Sequence, residues 1–328
     1  MSKTVLVIGV GRSGTKIVQM LVAYIIADQW GNMNFNYEPL LFENYQLKKI
    51  NSYGISVHKS LPLLLTIPYK MSLNQRRFFS QFGNIKGVNS VTKFIRTAGR
   101  LPFIQNFYRN ADIIFVYRHP VGVVNSILNL GFSLLGPPHY ESDFPRLIEE
   151  AKSQRIISQW QIDMVKSYKW GKEAINWYVL NKKAAGDLAD CNAFVLSFDH
   201  LVKDRERCAQ SLCDYLGAKY KPEYIRLFDI PGYNIRYMDQ LLVPSENENH
   251  NARFGSIGDL IRRAIERGNA TAMFAGAREL ATAPIFSIPS RKGAKKVQLT
   301  VAEEMLLDQL CREVLVELDN LQSYTDRH

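Results

Sequence analysis

Residues 3–16 read Lys3-Thr4-Val5-Leu6-Val7-Ile8-Gly9-Val10-Gly11-Arg12-Ser13-Gly14-Thr15-Lys16, and the run from Thr15 to Ala27 that follows is apolar enough to be a buried helix. The apolar stretch is continuous, not alternating, which is the pattern of a strand covered on both faces in a parallel sheet. Glycines let the chain turn sharply and approach a ligand closely. The uncapped N–H groups and positive dipole end of the next helix favour an anion. Arg12 and Lys16 add charge, and Ser13 and Thr15 add hydroxyl donors. The segment predicts a phosphate loop between a strand and a helix; the plain alternative is a strand-to-helix turn with no ligand.

Two further buried strands are predicted, Asp112 to Tyr117 and Ala193 to Phe198, with helices over Val121–Leu130 and Arg205–Leu216. Strands alternating with helices give an α/β class: a parallel sheet of P-loop-like type, flanked by helices and carrying helical insertions. Ile156, Trp160, Met164 and Tyr168 recur every four residues and predict one helix face. Leu307, Leu310, Val314, Leu318 and Leu321 predict another; both read as packing stripes. Gly131–Pro145 and Pro244–Gly258 read as loops. With no internal repeat or clear linker, residues 1–328 are expected to form one domain, with a core over about 3–217 and a helical, cofactor-closing region over about 218–328.

Composition narrows the class without choosing a ligand. At 46% hydrophobic and 22% charged, the 328-residue chain is neither disordered nor fibrous. Its net charge of +10 suits polyanions. The basic residues are spread through the chain, not clustered with aromatics, which ranks a nucleic-acid or membrane-surface binder last. Cys191, Cys208, Cys213 and Cys311 form no C-x-x-C pair, as expected of reduced thiols in the cytoplasm. The first apolar runs are too short or too interrupted for a leader or a membrane span. The six histidines are scattered, and no metal site is expected.

The phosphate ligand is left open by the loop alone. Gly9, Gly11 and Gly14 satisfy G-x-G-x-x-G, so a Rossmann-type NAD(P)-dependent oxidoreductase competes. It wants an acid ending the second strand; Glu38 and Glu43 lie nearby, but Pro39 interrupts that strand. The Walker pattern fails, because Thr15 stands where its lysine belongs. A second segment, Arg118-His119-Pro120 with Ser126 eight residues after the arginine, puts a cation at a strand end and a hydroxyl on the next helix. Such a pair suits a second phosphate; the alternative is an arginine held by a carboxylate.

Taken together, these segments resemble the sulfotransferases that use 3′-phosphoadenosine 5′-phosphosulfate. Arg12-Ser13-Gly14-Thr15 matches the family's R/K-[ST]-G-[ST] loop, and Arg118-His119-Pro120 with Ser126 matches its R-[DNH]-P…S element at the same spacing. Tyr37-Glu38-Pro39 is similar to the phenylalanine-glutamate-proline segment of carbohydrate sulfotransferases. Ser197-Phe198-Asp199-His200-Leu201 resembles the tyrosine-glutamate-aspartate-leucine strand end. Ser290-Arg291-Lys292-Gly293 resembles the segment that closes over the donor in cytosolic members. The resemblance covers about residues 3–45 and 90–217.

The resemblance implies that Gly11, Arg12, Ser13, Gly14, Thr15 and Lys16 hold the 5′-phosphosulfate. Arg118 and Ser126 would hold the 3′-phosphate, and Arg291, Lys292 and Gly293 would close the site. Arg12 and Lys16 would stabilise the leaving phosphate oxygen, and Glu38 would be the general base toward a hydroxyl of a carbohydrate, glycolipid or small-molecule acceptor. Lys16 replaces a hydroxyl, no tryptophan follows Gly293, and Lys93-Phe94-Ile95-Arg96 stands where cytosolic members carry lysine-x-histidine. Lys93 and Arg96 read as sulfonate or acceptor contacts or as surface charge. His58 is a reserve base, expected to be exposed in a polar loop.

Overall fold

The computed structural model describes residues 2–31, 33–37, 53–65, 69–82, 88–129, 143–229 and 297–322. Five parallel strands form one sheet: β1 (Thr4–Ile8), β2 (Met33–Tyr37), β3 (Asn89–Phe94), β4 (Asp112–Tyr117) and β5 (Ala193–Ser197), in the order β2-β3-β1-β4-β5. β1 is central, with Ile8 opposite both Phe94 of β3 and Phe115 of β4. Its five residues are all buried, because successive side chains enter different cores. Leu6 and Ile8 join Phe115 and Tyr117 on one face, while Val5 and Val7 join Ile114 and Val116 on the other. Burial on both faces is why the sequence shows no alternation.

The second face is covered by α1 (Thr15–Trp30), α9 (Phe198–Lys203) and α10 (Arg205–Leu216). The first carries α2 (Tyr53–Ser60), α3 (Leu73–Ser80), α4 (Leu101–Phe107), α5 (Pro120–Leu128), α6 (Asp143–Ser153), α7 (Gln159–Val165), α8 (Gly171–Leu188) and α11 (Val301–Asn320). Short 3-10 turns occupy Ile95–Arg100 and Pro222–Asp229. In α11, Leu307, Leu310, Val314 and Leu318 are buried, so that stripe packs as the spacing predicts.

Three expectations need correction, and one strand carries no period that marks it: NSVTKF, in β3, mixes polar and apolar residues, yet all six are buried in the sheet. Phe198 opens α9 instead of ending β5. The stripe Ile156-Trp160-Met164-Tyr168 is not one helix face. Arg155 adopts a left-handed φ of 57°, and Ser158 starts a new helix through a capping box with Gln161. Trp160 is consequently 61% exposed. The expected loop Gly131–Pro145 ends early, since Asp143–Pro145 form the first turn of α6, where a proline without an N–H is tolerated. Its residues 131–142, and Pro244–Gly258, lie outside the described residues.

The strand order also bears on the dinucleotide alternative. A Rossmann sheet places its second strand beside the first. Here β3 lies between β1 and β2, so an acid ending β2 is a full strand further from the glycine loop.

Candidate active site

The loop after β1 and the loop after β4 leave the same edge of the sheet from adjacent strands. The first is tightly turned: the Ser13 N–H donates to the Val10 carbonyl at 3.2 Å, and Arg12 and Gly14 have φ of 71° and 84°. Left-handed residues within such a turn gather successive N–H groups into an anion-binding concavity. Gly14 caps α1 with no side-chain acceptor, so the first N–H groups of α1 gain no cap from it. Two glycines are dictated by contact. A Cβ at Gly9 would lie 2.2 Å from the Val116 carbonyl oxygen, and one at Gly14 would lie 2.0 Å from Cδ2 of Phe198.

The two loops touch through side chains. Arg12 Nε donates to Ser126 Oγ at 3.0 Å, across 114 residues of sequence. Ser13 is fully buried and its Oγ meets no hydrogen-bond partner among the described residues. Thr15 and Lys16 are also buried, in the first turn of α1. A buried hydroxyl without a partner costs free energy unless a ligand or water supplies one.

Arg118 is supported from several sides. Trp177 Nε1 donates to its carbonyl at 3.0 Å, its guanidinium lies over the Phe198 ring at 5.1 Å, and Nε stands 3.8 Å from Asp199 Oδ1. Gly122 leaves room for it, since a Cβ there would fall 2.6 Å from Nε. Burial lowers the Arg118 pKa and Asp199 opposes that, so the group stays cationic. Among the described residues Arg118 Nε has no hydrogen-bond partner. A carboxylate therefore stands on one side of this arginine, too far from Nε for a hydrogen bond.

The structure revises the surroundings. His58 is 1% exposed, not a surface residue. Arg100 Nη1 donates to its Nδ1 at 3.2 Å, which leaves the proton on Nε2 to donate to Asp143 Oδ2 at 2.9 Å. Burial drives the His58 pKa down to about 3 and that of Arg100 down to about 9. With its one acceptor nitrogen held by a guanidinium, His58 is a structural pin and cannot take a substrate proton. The same region ties α2 and the segment after it to α6, through Arg146 to the Lys59 carbonyl at 2.7 Å and Glu150 to the Leu64 N–H at 2.7 Å. Lys93 is also buried, at 2% exposure, and Arg96 half-buried, so neither is free surface charge.

Glu38, Arg291, Lys292 and Gly293 lie outside the described residues, as does Glu43. β2 delivers the chain to Tyr37, one residue before Glu38, at the same sheet edge. The residues that reasoning from the sequence left without a role are Phe198, Asp199, Gly122 and Trp177; only the likeness of the Ser197–Leu201 stretch to a family strand end marked two of them. Among the described residues, no group of three or more His, Cys, Asp or Glu is placed to hold a metal, and no helix is long and apolar enough to cross a membrane.

No curated protein matches the chain, and no solved structure does. The model of the Sulfotransferase family matches residues 4–222, which takes in all five strands, the loops after β1 and β4, and α1 to α10. The chain belongs to the sulfotransferase family, and is an enzyme that transfers sulfuryl groups.

Proposed function

We propose that the donor is 3′-phosphoadenosine 5′-phosphosulfate and the acceptor a hydroxyl of a carbohydrate, glycolipid or small molecule. The observation that carries the donor is the contact of Arg12 with Ser126: it joins two loops, each suited to one phosphate, around a buried Ser13 hydroxyl that needs a partner. The donor supplies a sulfuryl group on a good leaving oxygen. The loop N–H groups from Gly11 to Thr15, with Arg12 and Lys16, bind the 5′ end and neutralise charge on the departing phosphate oxygen. Arg118 and Ser126 bind the 3′-phosphate. Glu38 takes the acceptor's proton as its oxygen bonds to sulfur and the sulfur–phosphate oxygen bond breaks. Carbohydrate preference rests on the likeness of Tyr37-Glu38-Pro39 to one branch of the family.

Residues 1–328 are read as one domain, supported by α11 sharing the core of β1 and β4. Arg291, Lys292 and Gly293 are read as closing on the donor. In support, Val297, six residues past Arg291, is tied by its N–H and carbonyl to Asn129 of the loop after α5, at 2.9 and 2.8 Å. A cytoplasmic setting is supported by four cysteines that are all single thiols.

Calorimetry with adenosine 3′,5′-bisphosphate, the expected product, tests the reading against NAD⁺. Binding of the bisphosphate, weakened at least about tenfold in Arg118→Ala, is expected. Absence of bisphosphate binding, or an Arg118→Ala protein that binds equally well, overturns it.

A further inference from the structure

Arg118 has a carboxylate beside it that the donor reading does not use. Asp199 Oδ2 accepts the His119 N–H at 2.7 Å, and Oδ1 stands 3.8 Å from Arg118 Nε. Its place is set by a well-anchored backbone: Asp199 is in the first turn of α9, whose cap, Ser197 Oγ, accepts from the His200 N–H. We infer that Asp199 is a positioning residue that aims Arg118, by holding the peptide after it and flanking its Nε edge so that the terminal nitrogens face the ligand. This inference rests on the proposed donor site.

The geometry favours aiming over simple charge pairing. The Asp199 side chain is 42% exposed and the ion pair is long, so its direct Coulomb contribution is small. The short bond to His119 is charge-assisted and partly buried, and it restrains the peptide that follows Arg118, one of the two that flank the Cα bearing its side chain. Phe198 closes the direction on its own side of the guanidinium, and Gly122, lacking a Cβ, leaves the space the guanidinium occupies. The sign of the effect is diagnostic. An aspartate acting only through its charge would repel a phosphate, so removing it would tighten binding. An aspartate that aims Arg118 would weaken binding when removed.

The test is calorimetric affinity for adenosine 3′,5′-bisphosphate in Asp199→Ala, in the nearly isosteric Asp199→Asn, in Arg118→Ala and in the Asp199→Ala, Arg118→Ala double variant. Asp199→Ala is expected to weaken binding about tenfold. Asp199→Asn keeps an acceptor for His119 and should lose less, and it serves as the folded comparator. In the Arg118→Ala background, Asp199→Ala should add nothing, because there is no guanidinium to aim; a merely structural role would give the same loss in both backgrounds. Unchanged or tighter binding in Asp199→Ala, or equal losses in both backgrounds, overturns the inference and leaves the donor site standing. Failure of the unmodified protein to bind the bisphosphate overturns the donor site and this inference with it.

Discussion

Replacing Gly14 by alanine tests the contact between the first phosphate loop and Phe198. Gly14 has φ 84° and ψ 6°, a left-handed conformation that costs an L-residue about 1–2 kcal/mol. Its new Cβ would stand 2.0 Å from Cδ2 of Phe198 and 2.6 Å from two more ring atoms. Carbon atoms settle at about 3.5–4.0 Å, so the ring has to retreat by about 1.5 Å. Overpacking of this kind adds about 1–3 kcal/mol, for a total of about 2–5 kcal/mol. The displaced ring is the one beneath Arg118, so ligand affinity should fall with stability. Gly217 supplies the control: φ is 68° and ψ 30°, with no atom within 4 Å of its Cβ position. Gly217→Ala therefore carries the backbone strain alone. Urea unfolding and bisphosphate calorimetry on both variants should show Gly217→Ala about 1–2 kcal/mol less stable with normal binding. Gly14→Ala should be less stable again and bind at least about tenfold more weakly. If the two variants match in both measurements, the Gly14–Phe198 contact has no part in the site.

Gly122→Ala should separate binding from stability in the opposite way. Gly122 is the third residue of α5, where alanine gains up to about 1 kcal/mol of propensity over glycine, but its Cβ, 2.6 Å from Arg118 Nε, pushes the guanidinium aside. Unchanged or higher stability with weaker bisphosphate binding is expected, and equal affinity would refute the placement of Arg118. His58 makes stability pH-dependent. Its pKa falls from 6.5 to about 3 on burial, so the folded protein keeps it neutral while the unfolded chain takes up a proton below 6.5. Its contribution is complete above 6.5 and is lost as pH falls toward 3, by up to about 1.4 kcal/mol per unit. The drop in unfolding free energy from pH 7.5 to 5.5 should be about 1.4 kcal/mol larger in the wild type than in His58→Gln; equal drops would show that His58 is not buried as a neutral ring. Leu310→Ala, at a position 2% exposed in α11, should cost about 2–5 kcal/mol if that helix completes the core. A change below about 1 kcal/mol would show that α11 is detachable.

Much of the frame was legible from local pattern. β1, β4 and the helices α1 and α10 stand where their runs and periods put them, because burial on both faces and a 3.6-residue stripe are properties of short windows. The Arg12 loop and the Arg118–Ser126 spacing were legible for a similar reason: each is set by the turn or helix it belongs to. Where a local signal had competitors, it failed. A four-residue period suggested one helix over 156–168, but Arg155 and the Ser158 cap interrupt it. β3 carries no clear period, and its polar residues are buried only because β1 and β2 flank it.

The amino-acid sequence by itself determined the sheet's central strand, the glycine turn that exposes N–H groups at its end, and the cation and hydroxyl presented by the next segment. Only the tertiary structure decided that Arg12 meets Ser126, that Phe198 fills the space Gly14 leaves, that Asp199 holds the peptide after Arg118, and that Arg100 takes the His58 lone pair. These contacts join residues dozens to nearly two hundred positions apart. No window of sequence records them, because they depend on which strands become neighbours and on how closely the helices pack against them.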